Sequence, residues 1–118
     1  MNALPTEQGL NFLIGSDLLQ VCIGKNEVIL RFSDEISITI ESRLLVRDSS
    51  GLESSFDNSR SAAGSLVKLL SDKITKILCQ RDGTLCLWFA KGDSLEIYNS
   101  FEGCESYQVQ HGNDIYVV

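Results

Sequence analysis

Residues 28–40 read Val28-Ile-Leu-Arg-Phe-Ser-Asp-Glu-Ile-Ser-Ile-Thr-Ile40, and this stretch decides the fold. Ile36, Ile38 and Ile40 share one face; Ser37, Thr39 and Glu41 share the other. Successive side chains of a strand point to opposite faces, so this alternation is that of a strand half-buried on a sheet. Before it, Val28, Leu30 and Phe32 alternate with Ile29 and Arg31, and Ser33-Asp34-Glu35 makes the turn. Working outward, Leu18 to Ile23 reads as a strand entering through Gly24-Lys25-Asn26, and Leu44 to Val46 adds a short fourth. Residues 17–47 are therefore expected to form an antiparallel β-meander.

The second half repeats the first. Asp17-Leu-Leu-Gln-Val-Cys-Ile23 aligns with Lys73-Ile-Thr-Lys-Ile-Leu-Cys79 at an offset of 56 residues. Val28-Ile-Leu-Arg-Phe32 aligns with Leu85-Cys-Leu-Trp-Phe89, and Ser37-Ile-Thr-Ile40 with Ser94-Leu-Glu-Ile97, both at 57. One inserted residue, in the first turn, accounts for the change. The pattern of faces is kept through three strands, so 73–99 is read as a second three-stranded meander.

Between the repeats, residues 48–60 are rich in Ser, Asp, Asn and Gly and are expected to be a surface loop. Residues 61–72 carry Ala62, Ala63, Leu66, Val67, Leu69 and Leu70 at helical spacing, with Ser59 or Ser61 as N-cap and Gly64 as a weakening residue. Residues 104–118 are read as a terminal hairpin, Ser106 to Gln110 and Ile115 to Val118 about a four-residue connection, His111-Gly-Asn-Asp114. Residues 1–8, with the single proline Pro5, are expected to be a flexible terminus. The expected class is mainly β with one short helix (α+β): two meanders and a hairpin in a single domain, 1–118, packed as a sandwich or a small barrel.

Composition limits the function classes. The chain has 118 residues, ten Lys and Arg against sixteen Asp and Glu, a net charge of −6 and 43% hydrophobic residues. That hydrophobicity argues against intrinsic disorder. The acidic balance argues against nucleic acid, whose phosphates are met by Lys and Arg, and points to a basic partner. No apolar run approaches the roughly 18 residues of a membrane helix, so no membrane role is expected. Residues 1–15 lack the marks of a secretory leader, and the expected location is cytoplasmic. Cys22, Cys79, Cys86 and Cys104 are then expected as free thiols rather than disulfides.

Catalytic and metal-binding signals are weak. His111 is the single histidine and sits in a turn; a Cys104–His111 dyad has no third member to orient it. Cys79 and Cys86 span a hairpin without the CxxC or HxxxH spacing of a zinc site, and no glycine-rich phosphate loop precedes a helix. No enzyme, metal or cofactor is expected. The more informative features are aromatic and acidic. Trp88 and Tyr98 fall on the reverse face of the second meander, either as a binding patch or as a second small core under the helix or hairpin. Asp34, Glu35, Glu53 and Asp57 lie in turns and loops, where they would steer a basic partner, and Tyr107 adds a further aromatic.

The hairpin Asp82-Gly-Thr-Leu-Cys-Leu-Trp-Phe89 and the terminal Cys104-Glu-Ser-Tyr-Gln-Val109, ending in Asn113-Asp-Ile-Tyr-Val117, resemble those of a family of small uncharacterised bacterial β-rich proteins. The resemblance covers the chain from about Leu13 onward and implies no activity. Tyr107 stands where the resemblance gives tryptophan as often. In size and charge the chain is similar to immunity proteins that neutralise bacterial toxins. The expected function is thus binding of a basic protein such as a toxin domain through Trp88, Tyr98, Asp34, Glu35, Glu53, Asp57 and Tyr107. The alternative is a small assembly module, a homodimer joined at sheet edges or the Trp88 face.

Overall fold

The computed structural model describes residues 6–99 and 106–118. Ten strands follow in chain order: β1 (Leu18–Ile23), β2 (Val28–Phe32), β3 (Ile36–Ile40), β4 (Leu44–Arg47), β5 (Glu53–Phe56), β6 (Ile74–Cys79), β7 (Leu85–Phe89), β8 (Ser94–Ile97), β9 (Tyr107–His111) and β10 (Asp114–Val117). A single helix, α1 (Ala63–Val67), lies between β5 and β6, and short 3-10 turns occupy Asn11–Leu13 and Ser59–Ala62. The strands make two five-stranded antiparallel sheets, β1-β2-β3-β9-β10 and β5-β4-β8-β7-β6. The two sheets pack as an open sandwich; no barrel closes.

Each meander is completed by a hairpin from the other half of the chain. The β4–β5 hairpin follows the first meander in sequence but joins the second sheet, where Leu44 pairs with Ile97 and Val46 with Leu95. The terminal β9–β10 hairpin joins the first sheet, where Tyr107 pairs with Ile40 and Val109 with Ile38. Since Ile40 and Ile38 correspond to Ile97 and Leu95, these two registers are the same register. The repeat is therefore five strands long, and the two copies have exchanged their hairpins.

Backbone hydrogen bonds obey the same two-fold relation. Leu18 N–H donates to the Asp72 carbonyl at 2.9 Å and Ile74 N–H to the Ser16 carbonyl at 3.0 Å. Gly15 N–H donates to Ile74 and Ser71 N–H to Leu18, at 2.7 and 2.8 Å. Both donors, Gly15 (φ +90°) and Ser71 (φ +70°), are left-handed. The axis passes through the bridge between Asp17 and Lys73, which are themselves equivalent residues. Even the irregularities match: β1 shifts register between Leu18 and Gln20, and β6 between Ile74 and Lys76.

One core lies between the sheets. Val28, Leu30, Ile38, Ile40, Leu44, Leu85, Leu87, Leu95, Ile97 and Val109 are inaccessible to solvent. Burying each such aliphatic side chain is worth about 1.5–3 kcal/mol relative to exposure. Leu10 and Leu13 close one end of this core, and their repeat equivalents Leu66 and Leu69 contribute alongside them.

Several expectations are corrected. Alternation along 18–23 predicts Leu19, Val21 and Ile23 on the core face, but a bulge at the start of β1 takes up an extra residue. Leu18 points inward, while Leu19 is 63% and Ile23 50% exposed. The expected loop 48–60 contains β5, whose Ser54 and Phe56 face inward opposite Val46 and Leu44. The expected helix 61–72 shrinks to α1, which has no side-chain cap; the 3-10 turn before it is capped by Asn58, whose side chain accepts from Ser61 N–H at 3.0 Å, rather than by Ser59 or Ser61. The terminal hairpin has a two-residue loop, Gly112-Asn113, since His111 pairs with Asp114. A positive φ of +60° at Gly112, the first loop residue, suits a type II′ turn. Residues 6–8 of the expected flexible terminus are tied down: Glu7 accepts from Cys79 N–H at 3.1 Å and Thr6 from Gly9 N–H at 3.0 Å. Residues 1–5 of that terminus and Cys104 lie outside the described residues.

Candidate functional site: the outer faces of the two sheets

Because the sandwich is a duplication, each outer face is a copy of the other, and their differences are informative. Across the second sheet the register places Lys76, Trp88, Ser94, Arg47 and Glu53 in one row, from β6 to β5. The next row holds Leu78, Cys86, Glu96, Leu45 and Ser55. Tyr98 lies two residues beyond Glu96, hence about 13 Å along the sheet from the Trp88 row. Trp88 and Tyr98 thus do share a face, as the alternation of the second meander implies. Neither expected cover sits on Trp88: α1 packs against β1, and the terminal hairpin extends the first sheet. Trp88 is half-buried in the outer face by its own neighbours.

The cations of this face are held internally. The Lys76 ammonium lies 4.9 Å from the Trp88 ring centre, and the Arg43 guanidinium 5.2 Å from that of Tyr98. Such contacts are worth about 0.5–1 kcal/mol at exposed sites. Arg47 is ion-paired with Glu53, with its Nε 2.8 Å from Glu53 Oε2. That hydrogen bond and the Glu53 charge push the Arg47 pKa further up. Tyr98 approaches Glu96 at 3.5 Å, and burial together with that carboxylate raises its phenol pKa. Lys76, Arg43 and Arg47 against Glu53 and Glu96 leave the face nearly balanced. The net −6 of the chain is carried elsewhere.

The first sheet presents a different row at the same register: Gln20, Arg31, Ser37, Gln110 and Ile115. Arg31 is the counterpart of Trp88, and its guanidinium has no partner among the described residues. An open cleft of about 570 Å³ runs along this end of the face, lined by Gln20, Arg31, Glu35, Ser37, Gln110 and Asn113 among others.

The acidic residues expected to act together do not gather. Asp34 and Glu35 form the β2–β3 turn of the first sheet, whereas Glu53 lies on the edge strand of the second and Asp57 just beyond it. Tyr107 is a correction. It is 1% exposed, its hydroxyl donates to the Gly83 carbonyl at 2.6 Å, and burial raises its phenol pKa. A ring enclosed this way holds the hairpin to the core and offers nothing to a partner. Arg31, Lys76 and Arg43 were not singled out from sequence. The aligned repeats already set Arg31 at the position of Trp88, but the alignment alone carried no sign that its guanidinium lacks a partner.

The thiols of Cys79 and Cys86 are not activated. Cys79 faces inward opposite Leu85, while Cys86 faces outward opposite Leu78, so these near neighbours cannot join. Cys22, Cys79 and Cys86 are free. Burial pushes both Cys79 and Cys86 up to about 11, with Glu7 and Glu96 respectively adding to it. Reactive cysteines need the opposite environment. Among the described residues no three His, Cys, Asp or Glu side chains group to hold a metal ion. No described helix is long and apolar enough to cross a membrane.

Comparison with known proteins adds one finding. No curated protein and no solved structure matches the chain. A family model matches residues 12–118, from the first 3-10 turn through the final hairpin. The chain belongs to the family of unknown function DUF6188.

Proposed function

We propose that this chain is a non-enzymatic protein-binding protein, and most concretely an immunity protein that occludes a cognate bacterial toxin domain in the cytoplasm. One observation carries the reading: Trp88 and Tyr98 stand on a single sheet face that no other described element covers, each with a cation laid against its ring. Large aromatic side chains fixed in place at low entropic cost are what binding hot spots use. Leu78, 39% exposed in the row between them on edge strand β6, adds apolar area to the same face. The basic nature of the partner rests on the net charge of −6, which raises the association rate with a cationic protein over distance.

Growth of cells co-expressing this chain with a toxin domain encoded beside its gene tests the reading. Wild type is expected to restore growth and Trp88→Ala/Tyr98→Ala to fail at equal abundance. Failure of wild type to bind the toxin or restore growth refutes it. A homodimer is the second reading, favoured by the open edge strand β10, where Ile115 is 54% exposed. A monomer by light scattering at high concentration removes it.

A further inference from the structure

We infer that the cleft on the outer face of the first sheet is a binding site for a small zwitterion of the α-amino-acid type, its carboxylate on Arg31 and its ammonium on Glu35. The inference is independent of the aromatic face. It starts from the duplication. In the second sheet every cation of the corresponding rows has an internal partner: Lys76 has Trp88, Arg43 has Tyr98 and Arg47 has Glu53. In the first sheet Arg31, at the same register position as Trp88, has none among the described residues. Its neighbours in the row, Gln20, Ser37 and Gln110, are neutral hydrogen-bonding groups that leave its charge unanswered. Guanidinium presents paired donors in a fork that matches a carboxylate.

The turn beside it supplies the second observation. In the second repeat the β7–β8 turn ends on Gly92, whose φ of +102° costs glycine nothing. The corresponding residue of the first repeat is Glu35, and both Asp34 and Glu35 hold φ at +61°. Two successive side-chain-bearing residues in the left-handed region are strained, and such strain persists where the surroundings hold it in place. Here the Glu35 carbonyl accepts from Gly112 N–H at 3.1 Å. The Glu35 carboxylate lies beside the same glycine, 3.8 Å from where a Cβ would stand. The strained turn therefore brings a carboxylate to the rim of the cleft that contains Arg31. Glu35 precedes Ser37 by two residues and Ser37 pairs with Arg31, so the turn carrying Glu35 lies at the end of the Arg31 row, and both residues line the cleft. No ion pair joins them. Opposite charges that share a cleft without meeting suit a ligand that carries both. Gln110, which also lines the cleft, is held in place by its amide N–H donating to the Gly112 carbonyl at 3.1 Å.

The test is an amide and side-chain NMR titration of the full chain with each of the free L-amino acids, taken to about 10 mM, a range that covers weak millimolar binding. At least one is expected to shift the signals of Gln20, Arg31, Ser37, Gln110 and Gly112. The amide and the N-acetyl form of that amino acid, which lack one charge each, are expected to bind at least about tenfold more weakly, since a charge-assisted contact is lost. Arg31→Gln and Glu35→Gln should weaken the free amino acid to the same degree. Lys76→Gln, on the equivalent row of the other sheet, should leave it unchanged. Arg31 and Glu35 are exposed, and an undisturbed amide spectrum of each variant shows that the fold is kept. No shift with any amino acid, or equal shifts in wild type and Arg31→Gln, overturns the inference. A response retained by the N-acetyl form overturns the role of Glu35.

Discussion

Replacing Glu35 by glycine is expected to stabilise the protein, although it removes a side chain and adds backbone freedom. The repeat supplies the reason, because the corresponding Gly92 adopts φ +102° while Glu35 is forced to +61°. A left-handed conformation costs an L-residue about 1–2 kcal/mol, and glycine is exempt. Glycine in turn gives the unfolded chain about 0.5–1 kcal/mol of extra entropy. The difference leaves Glu35→Gly more stable by about 0.5–1 kcal/mol, or a midpoint higher by about 2–4 °C at this chain length. Scanning calorimetry, together with urea unfolding at constant m-value, measures it. Two controls separate backbone from charge. Glu35→Ala deletes the carboxylate but keeps the φ requirement, and should gain nothing beyond about 0.5 kcal/mol. Gly92→Ala should lose about 1–2 kcal/mol, because its φ becomes strained and its new Cβ falls 3.1 Å from Ser49 Cβ. A lowered midpoint for Glu35→Gly, or an equal gain for Glu35→Ala, refutes the reasoning. The stabilised variant should also lose its response to amino acids, a stability gained at the expense of binding.

Further expectations follow from burial. Tyr107→Phe leaves the Gly83 carbonyl without its 2.6 Å donor, and urea unfolding should show a loss of about 1–2 kcal/mol with partner binding unaffected. Trp88→Ala and Tyr98→Ala remove partly exposed rings, and in urea unfolding their stabilities should fall far less than the roughly 3–5 kcal/mol typical of a buried aromatic. Cys79 and Cys86 are raised to about 11 in the fold, above the ordinary thiol range. Their stability contribution is present below about pH 9 and lost as pH rises through about 11, as alkaline unfolding curves should show. Both thiols should react slowly with iodoacetamide at pH 8, when protein denatured in urea reacts fully.

Much of this architecture was legible because period-two alternation survives wherever one face is buried. Ile36, Ile38 and Ile40 state it almost without noise, and the offset of 56 to 57 residues located the repeat. β5 was hidden because Glu53-Ser-Ser-Phe56 has no apolar alternation of its own; it is a strand because β4 pairs with it. The hairpin exchange was equally hidden. Which sheet a hairpin joins depends on register against Ile38 and Ile40 or Leu95 and Ile97, and those pairs are nearly alike. Residues 61–72 read as a helix because Leu66 and Leu69 stand at helical spacing and are buried, but the regular helix stops at Val67. On the outer face, alternation placed Trp88 and Tyr98 on the same side of the second sheet, as the register has them. Tyr107 was misassigned because an aromatic in a terminal strand reads alike whether its ring meets solvent or the core. Arg31 was aligned with Trp88 but not singled out, because an exposed arginine on a strand is ordinary and only the fold shows which cations have partners.

The most direct test of the protein-binding account is a calorimetric titration of wild type and of Trp88→Ala/Tyr98→Ala with the purified toxin domain encoded beside the gene. The account predicts tight one-to-one binding for wild type. For the double variant it predicts a loss of about 2 kcal/mol or more, roughly thirtyfold or greater in Kd, with melting and monomeric state preserved. Unchanged affinity in the folded double variant, or no binding by wild type, contradicts it.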